Sequence, residues 1–217
     1  MADRVRARAG AGGSAGRVIA GTARGRRLVA PGEGTRPLGD RVKQSLFAIL
    51  EPDLRGEAFL DLFAGSGAAG IEALSRDASL AVFVEHSRAV GRSIQRNLQT
   101  AGLDGPRARI VIGDAIAWLA GPKGERDGLP FHAVFMDPPY DEPHLVDRAL
   151  DIIAGAGRGG VLDPEGVVVA KHSRVHPPPA RIRLLRSARE ERFGETVLTF
   201  YRWSPAHAAG EANEEVG

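Results

Sequence analysis

The stretch FLDLFAGSGAAG, residues 59–70, joins an apolar segment to a glycine-rich turn and a second apolar segment. Gly65, Gly67 and Gly70 spell G-x-G-x-x-G, a spacing typical of nucleotide-binding turns between a strand and a helix. Glycine lets the backbone approach a ligand closely and adopt dihedral angles that a Cβ forbids. The stretch therefore predicts a strand, a ligand-binding turn and a helix; the alternative is a tight turn without a ligand.

Segments with the pattern of strands and helices alternate from residue 56 onward. The predicted strands are Ala58–Phe63, Leu80–Glu85, Arg109–Gly113, His132–Asp137 and Gly166–Lys171. The predicted helices are Ala68–Arg76, Arg88–Ala101, Ala115–Ala120 and Pro143–Ala154. Two further strands, Arg181–Arg186 and Thr196–Trp203, flank EERFGE and are expected to form an antiparallel hairpin. The pattern predicts an α/β fold with a seven-stranded, mostly parallel, doubly wound sheet.

A smaller unit precedes this domain. The apolar runs Val18–Ala20 and Leu28–Ala30 predict a β-hairpin, and Asp40 is expected to cap the helix that follows. We therefore divide the chain into a disordered basic arm, an N-terminal hairpin with a helix, the α/β domain and a disordered acidic tail: residues 1–16, 17–55, 56–204 and 205–217. The hairpin and helix are expected to face the ligand of the α/β domain on one side and a further partner on the other.

The composition excludes several classes of protein. The absence of cysteine excludes disulfides, thiolate catalysis and Cys-ligated zinc, and the six histidines lack the close spacing of metal ligands, so no metal is expected. No apolar run approaches the roughly 20 residues that span a bilayer, and the N-terminus lacks the apolar core of a secretory signal. We therefore expect a cytoplasmic protein without membrane contact.

Charge is distributed unevenly along the chain. The net charge is +2, but residues 1–45 carry ten Arg and Lys against three acids. Arg24, Arg26 and Arg27 crowd the turn of the predicted hairpin, and Arg36 follows it. Arginine binds phosphate through a planar fork of donors, so this basic region favours nucleic-acid contact; the alternative is a solvated basic surface.

Three acids follow successive strands and indicate the kind of ligand. Asp61 lies just before the glycine turn, where it would repel a pyrophosphate but attract the ammonium and sulfonium of S-adenosylmethionine. Glu85 can accept hydrogen bonds from ribose hydroxyls, which NAD and S-adenosylmethionine share. Asp114 is expected near an adenine edge. The acids favour S-adenosylmethionine, while the literal glycine spacing leaves an NAD-dependent oxidoreductase as an alternative.

The tetrapeptide Asp137-Pro138-Pro139-Tyr140 ends the fourth predicted strand of the domain. The two prolines remove two backbone donors and leave carbonyls, including that of Pro138, aimed into the crevice beyond the strand ends. A carboxylate beside a carbonyl forms a clamp of acceptors that matches an exocyclic amine, and Tyr140 offers a ring on which a base can stack. This predicts methyl transfer to the amine of a nucleobase.

Together these motifs resemble a known group. FLDLFAGSG with DPPY resembles the Rossmann-like class I amino-methyltransferases. The block RVIAGTARGRRLVAP…TRPLGDRVKQSLFAIL with GSGAAGIEALSR is similar to one family among them, the bacterial 16S rRNA (guanine(966)-N(2))-methyltransferases of the RsmD type. The similarity runs from about Arg17 to Trp203. In one departure, Leu38 and Gly39 replace the two threonines of the usual RPTTDRV, so hydroxyl contacts expected there cannot form.

The resemblance implies methylation of a guanine N(2) amine in 16S rRNA, within the small subunit or an assembly intermediate, by a monomer. The predicted cofactor-binding residues are Asp40, Arg41, Asp61, Phe63, Gly65, Ser66, Gly67, Glu85, His86, Asp114 and Ala115. The predicted catalytic residues are Asp137, Pro138, Pro139 and Tyr140, and the predicted RNA-binding residues are Arg24, Arg26, Arg27 and Arg36. A DNA adenine or cytosine amino-methyltransferase and a noncatalytic ribosome-assembly binder are further alternatives.

Overall fold

The computed structural model describes residues 13–32, 38–122 and 130–204. The helices are α1 Asp40–Leu54, α2 Ala68–Ser75, α3 Arg88–Ala101, α4 Ala115–Ala120 and α5 His144–Gly155. The strands are β1 Ser14–Arg17, β2 Arg27–Val29, β3 Ala58–Leu62, β4 Leu80–Glu85, β5 Ala108–Ile112, β6 Phe131–Met136, β7 Leu162–Ser173, β8 Arg181–Ile182, β9 Leu185–Phe193 and β10 Thr196–Trp203. No helix in these ranges is long and apolar enough to cross a membrane.

The main sheet has the order β5-β4-β3-β6-β7-β10-β9-β8. Strands β3 to β7 are parallel to one another, and β8, β9 and β10 pair antiparallel. The chain order reverses between β3 and β6, so a crevice opens there beyond the carboxyl ends of the strands. The structure confirms the predicted strands that correspond to β3, β4, β5 and β6 to within one residue at each end. It confirms all four predicted helices of the domain equally closely.

The end of the sheet differs from the sequence-based expectation. EERFGE is not a loop between two strands, because most of it belongs to the nine-residue strand β9, which pairs with β10 around a turn at Gly194. The predicted strand Arg181–Arg186 is divided between β8 and the start of β9. The sheet consequently has eight strands instead of seven, the eighth being the two-residue edge strand β8.

Helices cover both faces of the sheet, as a parallel sheet requires. The hairpin and helices α1, α2 and α3 pack on one face, around Phe47, Ile71 and Phe83. Helices α4 and α5 pack on the other, around Leu119 and Ile153. All five residues of β3 are buried, which explains why its sequence is nearly continuously apolar.

The N-terminal hairpin is displaced from its predicted position. Strand β1 ends at Arg17, so the run Val18–Ala20 lies beyond it, and residues 14–16 of the expected disordered arm belong to a strand. The cause is Glu72 of α2, which is fully buried and accepts the backbone N–H groups of Ile19 and Ala20 at 2.7 and 3.0 Å. These donors are therefore not available to a β-ladder. The remainder of the arm and the acidic tail lie outside the described residues.

Helix α1 begins differently from the prediction. Gly39 occupies the N-cap position and Asp40 is the first helical residue, so the expected capping role of Asp40 is wrong. The carboxylate of Asp40 instead pairs with Arg17 of β1 at 3.1 Å. This ion pair joins the start of the helix to the hairpin.

Gly70, the third glycine of the opening stretch, serves helix–sheet packing. A Cβ at this position would lie 2.3 Å from Cε1 of Phe83, whose side chain is fully buried on β4. Its backbone N–H donates to Asp61. The residue completes a dinucleotide-binding pattern in the sequence, but its contacts are those of a packing position.

We expect Gly70→Ala to lower the free energy of unfolding by up to about 2 kcal/mol, because overpacking costs about 1–3 kcal/mol and the higher helix propensity of alanine offsets about 1 kcal/mol. Urea denaturation measures the difference. The control is Gly105→Ala, at a site where a Cβ meets no atom within 4 Å; it should change stability by less than about 0.5 kcal/mol. Equal stabilities for the two variants would contradict the packing role.

Candidate active site

A cavity of about 690 Å³ opens where the carboxyl ends of β3, β4 and β6 meet. The fold brings twelve of the predicted site residues to its lining: Asp61, Phe63, Gly65, Ser66, Glu85, His86, Asp114, Ala115, Asp137, Pro138, Pro139 and Tyr140. They arrive from four separate segments of the chain. The predicted cofactor half and the predicted catalytic half therefore share one continuous space.

Three predicted cofactor residues do not line this cavity. Gly67 lies within the loop as the left-handed N-cap of α2, with φ of 75°. Asp40 is paired with Arg17, and Arg41 is exposed on α1. Leu38, one of the residues that replaced the expected threonines, does line the cavity. The N-terminal segment thus reaches the site through an apolar side chain.

The glycine loop is fixed by a hydrogen bond to the end of β4 and by one within the loop itself. The backbone N–H of Gly65 donates to Glu85 Oε2 at 3.0 Å, and the N–H of Gly67 donates to the carbonyl of Ala64 at 2.8 Å. Phe63, which opens the loop, has φ of 63°, a conformation that is rare and strained for an aromatic residue. The sharp turn that follows β3 leaves the loop backbone lining the cavity.

Asp61 is a buried acid at the base of the cavity. Its Oδ2 accepts the N–H of Gly70 at 2.9 Å, and no described donor reaches Oδ1. Burial raises the pKa of Asp61 to about 8, and the charges of Asp137 and Glu85 act in the same direction. A carboxyl in this environment would be stabilised in its ionised form by a cation.

Glu85 and Asp114 extend the acidic lining across β4 and β5. Glu85 Oε1 accepts the N–H of Ser87 at 2.9 Å and lies 3.1 Å from His86 Nδ1. Asp114 caps helix α4 by accepting the N–H of Ala117 at 2.7 Å. Each carboxylate is thus oriented by the backbone, and its further lone pairs can still accept hydrogen bonds from hydroxyl or amine donors.

The segment after β6 forms the opposite wall. The Pro139 carbonyl accepts the N–H of Glu142 at 3.1 Å, whereas no described donor reaches the carbonyl of Pro138. The hydroxyl of Tyr140 lies 3.1 Å from Thr196 Oγ1 at the start of β10, which anchors a ring that is still 37% exposed. The segment therefore presents the Pro138 carbonyl, which no described donor reaches, beside an exposed ring.

Lys171 was not predicted as a site residue. Its Nζ lies 2.5 Å from Asp137 Oδ1 and 4.7 Å from the centroid of the Tyr140 ring. The lysine ends an apolar run on β7, and only the pairing of β7 with β6 places it beside Asp137. In the sequence, the one signal for a role of Lys171 is its charge directly after the apolar run VVVA.

The N-terminal unit was predicted to face the cofactor, but three of its residues that line the cavity were not among the predicted site residues. Ala15, Ala30 and Pro31 contribute apolar surface to the cavity wall. Asn97 of α3 donates to the carbonyls of both Val29 and Ser66 at 3.0 Å, which ties the hairpin to the glycine loop.

The arginines of the hairpin lie at the other end of the unit. Arg24, Arg26 and Arg27 are exposed, and the turn is held to the C-terminus of α2, where the N–H of Thr22 donates to the Ser75 carbonyl at 2.8 Å. Because α2 has eight residues, the turn lies roughly 12 Å along the helix axis from the glycine loop. The predicted Arg36 lies outside the described residues.

The acceptor groups that line the cavity suit a cationic ligand that also carries hydroxyl groups. Asp61, Glu85 and Asp114 line one half, and Lys171 is the one Lys or Arg among the lining residues that the structure describes. S-adenosylmethionine, with an ammonium, a sulfonium and a ribose, fits this set. The pyrophosphate of NAD would meet carboxylates instead of cations.

Comparisons with known proteins agree with this architecture. The protein-family model described as Conserved hypothetical protein 95 matches residues 16–202. Ribosomal RNA small subunit methyltransferase D of Haemophilus influenzae is 39% identical over 162 residues, covering 74% of this chain and 80% of that protein. The Escherichia coli protein of the same name is 43% identical over 142 residues, covering 65% of this chain and 68% of that protein.

A solved structure extends the comparison to the fold. The Escherichia coli protein yhhF superposes with a TM-score of 0.75 at 32% identity, covering 88% of this chain and 99% of that chain. Together with the strand order, this similarity confirms the predicted Rossmann-like class I methyltransferase fold with its terminal antiparallel hairpin.

The raised pKa of Asp61 makes a prediction about stability. An unfolded chain releases this proton near pH 3.9, whereas the folded protein holds it until about pH 8. The folded state binds more protons than the unfolded state between these two pH values. The stabilisation of the folded state by the protonated Asp61 carboxyl is therefore complete below about pH 4 and is lost as the pH rises toward 8. We expect the wild-type free energy of unfolding to fall between pH 5.5 and 8 relative to that of Asp61→Asn, by on the order of 3 kcal/mol. Urea midpoints of the ligand-free proteins measure this difference, and parallel pH profiles would contradict it.

Proposed function

Because the chain belongs to the Conserved hypothetical protein 95 family, we propose that it methylates the exocyclic N(2) amine of a guanine in 16S rRNA, with S-adenosylmethionine as the methyl donor. The relatives named ribosomal RNA small subunit methyltransferase D support the rRNA substrate and the small subunit. The guanine N(2) position rests on the chemistry of the site and on the sequence resemblance.

One observation carries the proposal: acids suited to an adenosyl sulfonium and an acceptor clamp suited to an aryl amine line the same cavity. Neither half by itself identifies the reaction. Their common space allows a methyl donor and a nucleobase amine to meet, and proximity of this kind is a major source of rate acceleration.

The cofactor half has distinct tasks for its residues. Glu85 would accept the ribose hydroxyls, Asp61 would face the ammonium and sulfonium, and Asp114 would lie at the adenine edge. The backbone of Gly65 and Ser66 would pass beside the methionine part. S-adenosylmethionine, when bound, would supply an electrophilic methyl group. The amine nitrogen would bond to the methyl carbon while the sulfur keeps the electron pair of the broken bond, and the nitrogen would then lose a proton to solvent.

The target half orients the amine. An aryl amine is a weak nucleophile because its lone pair is delocalised into the ring. Asp137 and the Pro138 carbonyl would accept its two N–H groups and favour a pyramidal nitrogen, while Tyr140 would stack on the base. No described donor reaches Asp137 Oδ2, so this oxygen remains available to the amine.

We expect Asp137→Ala to lose methyl transfer by at least about 100-fold while binding of S-adenosylhomocysteine changes little, because the clamp contacts the base and not the cofactor. Transfer of a labelled methyl group measures the first effect, and a thermal shift with S-adenosylhomocysteine measures the second and confirms folding. Undiminished turnover would remove the clamp from the mechanism.

The same labelled assay identifies the substrate. It is run with naked 16S rRNA, small ribosomal subunits and DNA, followed by nucleoside mass spectrometry. N(2)-methylguanosine in rRNA supports the proposal. Methylated adenine or cytosine in DNA would favour the DNA amino-methyltransferase, and RNA binding without transfer would favour the noncatalytic binder. A thermal shift with NAD in place of S-adenosylhomocysteine would favour the oxidoreductase.

The exposed hairpin turn is proposed to contact rRNA phosphates. We expect Arg26→Glu with Arg27→Glu to weaken rRNA binding and to make the dependence of log affinity on log salt shallower, because fewer counterions are released. Filter binding at several salt concentrations measures both effects. The matched control, Arg148→Glu with Arg186→Glu, makes the same charge change at exposed positions on α5 and β9; equal losses in the two double variants would indicate only a general effect of net charge.

A further inference from the structure

Lys171 is the buried cation of the target half. Its side chain is 7% exposed, and its ammonium contacts Asp137 and the face of Tyr140 at once. These are two of the groups proposed to hold the target base. The lysine itself was assigned no role by the sequence motifs.

Strand register accounts for this position. Met136 pairs with Ala170 between the parallel strands β6 and β7, so the next residues, Asp137 and Lys171, lie side by side at the carboxyl ends. On the other side, Lys171 pairs with Leu198 of β10, the strand whose Thr196 meets the Tyr140 hydroxyl. Three neighbouring strands thus fix the lysine between the carboxylate and the ring.

The electrostatic surroundings of Asp137 are mostly unfavourable to a carboxylate. Burial raises the pKa of Asp137, and Lys171 opposes that rise. The carboxylate of Asp61 on β3 interacts unfavourably with that of Asp137, and Glu85 of β4 adds a third carboxylate on the far side of Asp61. A further titratable group beside Asp137 is Tyr140, in the segment after β6. In the lining that the structure describes, Lys171 is the one Lys or Arg that can offset these effects.

Lys171 is suited to remain charged in this position. Burial lowers the pKa of Lys171, but Asp137 and Tyr140 together raise it by more, so the net change is upward. A lysine that keeps its proton cannot accept one from the amine. Its effect on the reaction must therefore pass through the groups that it contacts.

We propose that Lys171 is the positioning residue of the target site, an inference that rests on the proposed amine methylation. Lys171 keeps Asp137 a hydrogen-bond acceptor by binding Oδ1, which leaves Oδ2 for the target amine. It also occupies one face of the Tyr140 ring. Loss of this cation would let Asp137 take up a proton. A protonated carboxyl has a donor where the amine needs an acceptor. The target base would then use the opposite face of the tyrosine.

The test compares Lys171→Met, which removes the charge at similar volume, with Lys171→Arg, which retains it. Methyl transfer to the rRNA substrate is measured from pH 5.5 to 9. We expect the acidic limb of kcat/KM to move upward by at least one pH unit in Lys171→Met, with partial recovery of rate at high pH, and to stay near the wild-type position in Lys171→Arg. If kcat/KM of Lys171→Met fell by the same factor at every pH, or did not fall at all, the inference would be overturned.

A matched variant separates this effect from stability. Lys43 is the other buried lysine of the described chain; its Nζ donates to the Arg17 carbonyl and has no contact with Asp137. Lys43→Met removes a buried ammonium elsewhere, so we expect reduced stability with an unshifted acidic limb. A shift equal to that of Lys171→Met would attribute the pH effect to loss of stability and would overturn the inference.

A measurement without turnover distinguishes this inference from the proposed function. The carboxyl carbon of Asp137 is titrated by NMR in protein labelled with ¹³C-aspartate, with Asp137→Asn and Asp61→Asn used to assign the two signals. We expect the Asp137 titration to move upward in Lys171→Met. An unmoved titration would overturn the role of Lys171 whatever the reaction; a moved titration in a protein that methylates no nucleic acid would retain the pairing and reject the proposed function.

Discussion

Two hydrogen bonds that buried carboxylates accept from the glycine-rich segment determine the shape of the site. Asp61 at the end of β3 accepts the N–H of Gly70, and Glu85 at the end of β4 accepts the N–H of Gly65, so neighbouring strands hold the loop at both ends. The same bonds place two acids where water is scarce, and burial raises the pKa of Asp61. A cationic ligand would offset this unfavourable burial. The groups that fix the loop thus also set the charge of the ligand it accepts.

The N-terminal unit is part of the cofactor cavity as well as a candidate RNA contact. Glu72 accepts two backbone donors of the segment after β1, and Asn97 links Val29 of β2 to Ser66 of the glycine loop. Apolar residues of the hairpin complete the cavity wall. The hydrogen bonds of Asn97 therefore fix the position of β2 relative to the glycine loop.

The parallel core could be predicted from the sequence because its strands are short apolar runs bounded by turns, and because the acids follow them at regular intervals. The hairpin could not be placed correctly, since Ile19 and Ala20 give their N–H groups to Glu72, a residue more than fifty positions away. Lys171 was missed for a related reason. A lysine at the end of an apolar strand has no local signature of function, and its pairing with Asp137 depends on the register of β6 and β7. Local patterns identified the elements, while long-range hydrogen bonds decided their limits.

The arrangement of charge explains how one cavity could accept a cationic cofactor and a base from a polyanion. The carboxylates of the lining would repel phosphates, so only a base extruded from its stack could enter while the phosphate backbone stays outside. Within the cavity, Lys171 lies on the side of Asp137 away from Asp61, because β7 adjoins β6 opposite β3. Its charge would repel a sulfonium from Asp137 and direct it toward Asp61, which leaves Asp137 to a neutral amine. A site with acids alone would offer the cofactor two competing positions. With Lys171 beside Asp137, the sulfonium of the methyl donor would have one favourable position, and its methyl group would face the base.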